Sequence, residues 1–207
     1  MRPRGDIGHD LHRAARHMER LRASVEEWCK GRHWQWRAAL LALLAWQAAR
    51  PLSEAEASHL FRGITFGAHE FGHLFFSFGG EWMSIAGGSL MQLLVPVGAA
   101  AAMVATPRKD WFGAVACGTW LSASIADLAP YIADARAEEL DLVSFSPDGA
   151  IHDWNYLLAR AGLLGSDAAL GRGAKFMAAC VLAATVFAAA WMFTMMARSA
   201  REQAKAP

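Results

Sequence analysis

Apolar residues are bunched along this chain rather than spread evenly. Residues 82–107 contain no charged side chain over 26 positions, and residues 176–197 contain none over 22 positions. A helix needs about 20 predominantly apolar residues to cross a bilayer. Both runs therefore predict membrane-spanning helices, and the lipid bilayer is the first partner that the sequence indicates.

Two shorter segments precede these runs. Residues 1–33 are polar and basic, but apolar side chains recur in them at helical spacing, which predicts a cytoplasmic amphipathic N-terminal segment on the membrane surface. Residues 34–49 follow and carry Trp34, Trp36 and Trp46, a residue type that favours the membrane interface. We expect 34–49 to lie in the interface; the alternative is a fifth crossing.

Helix signals continue through the rest of the chain. Ser53 followed three residues later by Glu56 is a capping-box pattern, which predicts a helix over 54–78. Further helices are predicted over 84–105, 111–132 and 174–197. The fold class is therefore all-α: a polytopic integral membrane helical bundle with about four transmembrane helices plus an N-terminal amphipathic or interfacial helical region. Residues 34–207 form one membrane-embedded domain, with an outer loop at 133–173.

Charge predicts the orientation of this bundle. The connection 106–110 holds Arg108 and Lys109, and the tail after residue 197 is also basic, so both should stay in the cytoplasm. The mainly acidic loop 133–173 should lie outside. Because 20 basic residues nearly cancel 19 acidic ones, we expect no nucleic-acid partner. The three cysteines lie far apart, which argues against both a disulfide framework and a cysteine-based zinc site.

The residues that indicate chemistry are His69-Glu70-Phe71-Gly72-His73, an HExxH pattern inside the predicted helix 54–78. Residues at positions i and i+4 project from one helical face, so His69 and His73 can occupy adjacent corners of a zinc tetrahedron. Glu70 can then act as the general base for an attacking water and afterwards as a proton donor.

The apolar surroundings of the motif strengthen the zinc interpretation. An ionisable side chain such as Asp, Lys or Arg inside a membrane helix costs about 2.5 to 3.5 kcal/mol. Zinc binding contributes roughly 10 kcal/mol or more, which is enough to offset that cost. The alternative is a hydrogen-bonded histidine and glutamate cluster in a non-proteolytic metal- or proton-handling membrane protein.

The motif in its apolar span resembles the site-2-protease-like membrane zinc metallopeptidases. The chain is also similar to small uncharacterised bacterial membrane proteins that combine HExGH with the segments GGSLMQLLVP, YIADAR and HDWNYLL, here at 87–96, 131–136 and 152–158. The resemblance implies a zinc-dependent peptidase of the bacterial inner membrane. Its substrate would be a membrane-embedded or membrane-adjacent protein. The NPDG-type or LDG segment that supplies the third ligand in site-2 proteases is missing from this sequence.

The third metal ligand must therefore come from elsewhere. The resemblance marks Asp134 and His152, either or both as ligands, whereas depth along the helix 111–132 favours Asp127. We expect Asp153 to cap its own helix, or else to hold a histidine as an outer carboxylate. Zinc-dependent hydrolysis of a lipid or another amide is a further alternative, because the motif does not fix the scissile group.

Overall fold

The computed structural model describes residues 5–54, 57–140 and 152–205. These residues form seven α-helices and two short 3-10 turns, and no strand occurs among them, so the all-α prediction is confirmed. The helices are α1 Gly5–Cys29, α2 Gln35–Ser53, α3 Arg62–Phe76, α4 Glu81–Ala105, α5 Trp111–Ala133, α6 Asp153–Ala161 and α7 Asp167–Gln203. The 3-10 turns are Ser77–Gly79 and Leu164–Ser166.

Three of the helical runs in the described residues are long and apolar enough to cross a membrane. They are α4, α5 and the run Leu164–Gln203, which contains α7. The helix predicted over 174–197 is therefore longer than the sequence indicated, because the polar residues on either side of the apolar run continue it. These three helices indicate that the protein associates with a membrane.

The helix predicted over 54–78 begins later than expected. Ser53 is still the last residue of α2, and its hydroxyl donates to the Arg50 carbonyl at 2.9 Å. It therefore does not cap a following helix, and the capping-box prediction was wrong; Glu56, the other half of that pattern, lies outside the described residues. The helix α3 begins at Arg62 and has 15 residues, or about 22 Å.

The helix α2, which contains most of the segment 34–49, packs lengthwise in the bundle. At the start of α2, the Trp36 ring contacts Phe112 at the start of α5, with ring centroids 5.9 Å apart. Near its end, Leu52 lines a shallow groove with Ala179 and Leu182 of α7. The buried residues Leu41 and Ala48 explain this packing, because they give α2 an apolar face for α5 and α7.

The helix α3 runs along α5 in the same direction as α2. The Phe61 ring, just before α3, is stacked on Trp120 of α5 at 6.2 Å. Further along, His69 lies beside Tyr131, near the end of α5, with ring centroids 6.2 Å apart. The pair α2 and α3 thus follows α5 from its first turn to its last.

Candidate metal site

The HExxH histidines lie on α3 where this helix touches α4 most closely. The rings of His69 and His73 are one turn apart, with centroids separated by 4.8 Å. A side chain on Gly72 would overlap the Gly87 carbonyl, and a side chain on Gly87 would overlap the Gly72 carbonyl. Two glycines therefore allow the backbones of α3 and α4 to meet beside the motif.

Gly88 keeps a space open between the two imidazoles. A Cβ atom at this position would lie 2.5 Å from Nε2 of His73 and 2.7 Å from Nε2 of His69. Real Cβ atoms do not approach ring nitrogens so closely, so only glycine fits here without a shift. The absent side chain leaves room for a small group in front of both Nε2 atoms.

The other ring nitrogens are both held by acceptors. Nδ1 of His73 lies 2.9 Å from the Ser84 carbonyl, and Nδ1 of His69 lies 3.0 Å from Oε1 of Gln92. The Gln92 amide nitrogen donates to the Ser124 carbonyl at 2.7 Å, which fixes Oε1 toward His69. Since a carbonyl oxygen only accepts, both Nδ1 atoms carry the proton and both Nε2 atoms have a free lone pair in the neutral ring.

The carboxylate that meets these lone pairs belongs to Asp153, the first residue of α6. Its Oδ2 lies 3.1 Å from Nε2 of His69 and 3.4 Å from Nε2 of His73, and its side chain is only 6% exposed. Burial raises the pKa of Asp153, but the two histidines outweigh it and hold that pKa below its usual value. Lone pairs of two neutral imidazoles and a carboxylate repel one another unless cationic charge lies between them. Two extra protons or one divalent metal ion would supply it, so the residues fit a metal.

Glu70 lies against the same pair of histidines. Ligand atoms of His69, Glu70 and His73 all lie within 4.8 Å of one another, and the Glu70 side chain is half-buried. Asp153 faces both Nε2 atoms directly, so it is the better third ligand. Glu70 then lies beside the position that a metal held by these three residues would take.

The structure places the predicted ligands Asp134 and His152 against each other. Oδ2 of Asp134 lies 3.3 Å from Nε2 of His152, and Nδ1 of His152 accepts from the backbone N–H of Asn155 at 3.1 Å. The lone pair of His152 is therefore used to cap α6, and its Nε2 carries the proton. The carboxylate oxygens of Asp134 also accept from the backbone N–H groups of Glu139 and Leu140.

Two further expectations change with this arrangement. We expected Asp153 to cap α6, but His152 is the N-cap residue and Asp153 faces the histidines. Asp127, the candidate favoured by depth, is bound to His59, whose Nε2 lies 3.0 Å and 3.1 Å from its two carboxylate oxygens. His152 and Asp153 are adjacent in the sequence, and helical capping decides which of them points at the site.

Sequence reasoning missed the supporting residues Ser84, Gln92 and Tyr131. The hydroxyl of Tyr131 accepts from the backbone N–H of Asp153 at 2.9 Å, so it helps to place that carboxylate. One signal was present in the sequence: α5 and the residue that caps its end carry polar or aromatic side chains at alternating spacings of four and three, which is one face of a helix. They are Trp120, Ser124, Asp127, Tyr131 and Asp134, and each contacts a segment of the site or its surroundings.

Comparisons of the chain with models of known protein families, with curated proteins and with solved structures return no match.

Proposed function

We propose that this protein is a membrane-embedded zinc metallopeptidase in which His69, His73 and Asp153 hold the metal and Glu70 is the general base. The observation that carries the proposal is the convergence of two Nε2 lone pairs and one buried carboxylate, with Glu70 alongside. Two histidines and one carboxylate are a ligand set used by catalytic zinc sites, which keep a fourth position for water or substrate. The resemblance to site-2-protease-like enzymes supports the same conclusion.

The proposed reaction is hydrolysis of a peptide bond. Zinc, when bound, polarises the scissile carbonyl and lowers the pKa of a water molecule. Glu70 accepts a proton from the attacking water and returns it to the leaving nitrogen, so that the C–N bond breaks and a carboxylic acid and an amine form. Gln92 and Ser84 hold the histidine rings, and Tyr131 and the pair Asp134 and His152 hold the segment that delivers Asp153.

The proposed setting is a multi-pass protein of the bacterial inner membrane with four crossings. The helices α4, α5 and α7 supply three of them. Because α2 and α3 follow one another along α5, we assign the first crossing to these two helices together. This arrangement retains four crossings although α3 has only 15 residues.

The test compares Glu70→Gln with Glu81→Gln, a matched change at the exposed start of α4. In proteoliposomes with an internally quenched peptide library, Glu70→Gln should lower turnover by about 10² to 10⁴, since general acid–base assistance is lost. Its zinc content should stay close to wild type, and Glu81→Gln should leave both values unchanged. Full turnover by Glu70→Gln would remove Glu70 from the mechanism, and loss of zinc in that variant would make Glu70 a ligand.

A further inference from the structure

The two ends of the bundle differ in charge. At one end, which we term the basic end, the connection between α4 and α5 carries Arg108 and Lys109, and the tail of α7 carries Arg198 and Arg201. The helix α1 is held at the same end, because Lys109 donates to the Ser24 hydroxyl at 3.4 Å and the Gly31 N–H donates to the Ser199 hydroxyl at 3.2 Å. The four arginines of α1 are matched by its acidic residues, so the excess of positive charge at this end comes from Lys30 and Arg32, the α4–α5 connection and the tail of α7.

The opposite end, which we term the site end, contains the metal site and a more balanced set of charges. Arg136 lies 3.4 Å from Asp167, and Arg160 lies 3.8 Å from Glu81. Glu138 and Glu139 are exposed in the connection after α5, and Arg172 and Lys175 are exposed on the first turns of α7. Among the described residues, the excess of positive charge is therefore at the basic end.

From this asymmetry we infer that the site faces the non-cytoplasmic side and acts on a polypeptide segment presented there, at or just inside the membrane surface. The inference rests on the proposed peptidase function and adds the side and depth of its substrate. Short connections rich in lysine and arginine remain in the cytoplasm, so the basic end is the cytoplasmic one.

The site lies close to the ends of the helices that build it. Gly88, which borders the metal position, is seven residues after the start of α4, or about 10 Å along the helix axis. Tyr131 is two residues before the end of α5, and Asp153 is the first residue of α6. The remaining part of α4 separates the site from the basic end by about 25 Å.

This depth restricts the substrate. A scissile bond must be within about 10 Å of the outer ends of the helices, which suits the outer end of a transmembrane helix or the stretch that joins it to an external domain. A cytoplasmic loop of a substrate would have to cross about 25 Å of the bundle. The His73 side chain is 27% exposed on the surface of the bundle, so the protein itself does not seal the site.

The test uses the metal alone as the probe of sidedness. Purified protein loaded with Co²⁺ is reconstituted into sealed vesicles, and the fraction of molecules with the N-terminus outside is measured by protease removal of an N-terminal tag. EDTA, which does not cross the bilayer, is then added outside. It should bleach the cobalt spectrum only of those molecules whose N-terminus is inside. When detergent then opens the vesicles, EDTA should bleach the spectrum of the remaining molecules.

Bleaching confined to the molecules whose N-terminus is outside would overturn the inference, because the site would then face the cytoplasm. Equal bleaching of both orientations would overturn it as well, since the site would be open to both sides. A protein that binds no cobalt or zinc before reconstitution would instead refute the proposed function. The two failures are therefore distinguishable.

Discussion

Two arrangements of histidine and aspartate lie close together in this molecule and use the imidazole in opposite ways. In one, Nδ1 of His69 and Nδ1 of His73 donate to fixed acceptors and both Nε2 atoms face Asp153. In the other, Nδ1 of His152 accepts from a backbone N–H and its Nε2 donates to Asp134. We term these the metal cluster and the capping pair.

The comparison shows that the partner of the first ring nitrogen decides what the second can do. A carbonyl at Nδ1 leaves the Nε2 lone pair free for a metal, whereas an N–H at Nδ1 consumes the lone pair and leaves Nε2 as a donor. His152 therefore stabilises the start of α6, and the next residue, Asp153, carries the charge that the metal cluster needs.

Neutralising each carboxylate in turn should separate the metal cluster from the capping pair by the largest difference in zinc binding. Asp153→Asn should weaken zinc binding by about 10² to 10³, since one of three or four ligands normally shares roughly 10 to 16 kcal/mol of binding free energy. Asp134→Asn should change the affinity by less than about tenfold and mainly lower the stability of the fold. Competition with a chromophoric chelator measures the zinc affinity of the two variants. Equal losses in the two variants would mean that the capping pair also contributes a ligand.

A second experiment acts on the acceptor behind His69. Replacing Gln92, which is 4% exposed, with methionine removes that acceptor and should weaken zinc binding by about 10- to 100-fold. Gln92→Glu keeps an acceptor for Nδ1 but loses the N–H that donates to the Ser124 carbonyl, so it should recover only part of the affinity. Ser89→Ala, which removes another buried polar group of α4, should leave the affinity unchanged. If Gln92→Glu and Gln92→Met bind zinc equally weakly, the acceptor at Nδ1 does not control the cluster.

A third experiment fills the space in front of the lone pairs without touching a ligand. Gly88→Ala places a methyl group against both Nε2 atoms, and overpacking of this kind costs about 1 to 3 kcal/mol, so zinc affinity should fall by roughly 5- to 150-fold. Gly98→Ala is the control, because a Cβ at that position meets nothing within 4 Å. Equal zinc affinity in the two alanine variants would show that the metal position lies elsewhere.

The smallest expected effect concerns the capping pair. His152→Ala removes the N-cap of α6 and should lower the free energy of unfolding by about 0.5 to 2 kcal/mol, while zinc stoichiometry is retained. His152→Asn should recover part of that loss, because asparagine is a favoured N-cap residue. Thermal unfolding in detergent compares the three proteins. Complete loss of zinc in His152→Asn would identify His152 as a ligand after all.

The sequence predicted the helical fold well because long apolar runs leave few alternatives in a membrane. The apolar runs 82–107 and 176–197 both lie in helices, α4 and α7, and the prediction of a helix over 111–132 matches α5 within one residue. The predicted start of α3 was wrong because the Ser53 hydroxyl donates to a carbonyl of α2 rather than accepting from an N–H of a new helix. A local capping pattern does not reveal which of two adjacent helices will use it.

The site was predictable only in part, for a related reason. HExxH places two histidines on one face by helical geometry alone, so His69, Glu70 and His73 follow from spacing. The choice between His152 and Asp153 depends on which side chain caps α6, and both are plausible N-terminal residues of that helix. The orientation of both side chains is fixed by tertiary contacts with Tyr131 and Asp134, which join residues 18 to 22 positions apart in the chain.

X-ray absorption at the zinc edge of the purified wild-type protein tests the central claim most directly. We expect about one zinc per chain, bound by two imidazole nitrogens at about 2.0 to 2.1 Å and otherwise by oxygen. The number of imidazoles separates the alternatives, because a site that included His152 would show three. A spectrum with three imidazoles or with sulfur ligands, or a protein that retains no zinc, would contradict the assignment of His69, His73 and Asp153 as the metal ligands.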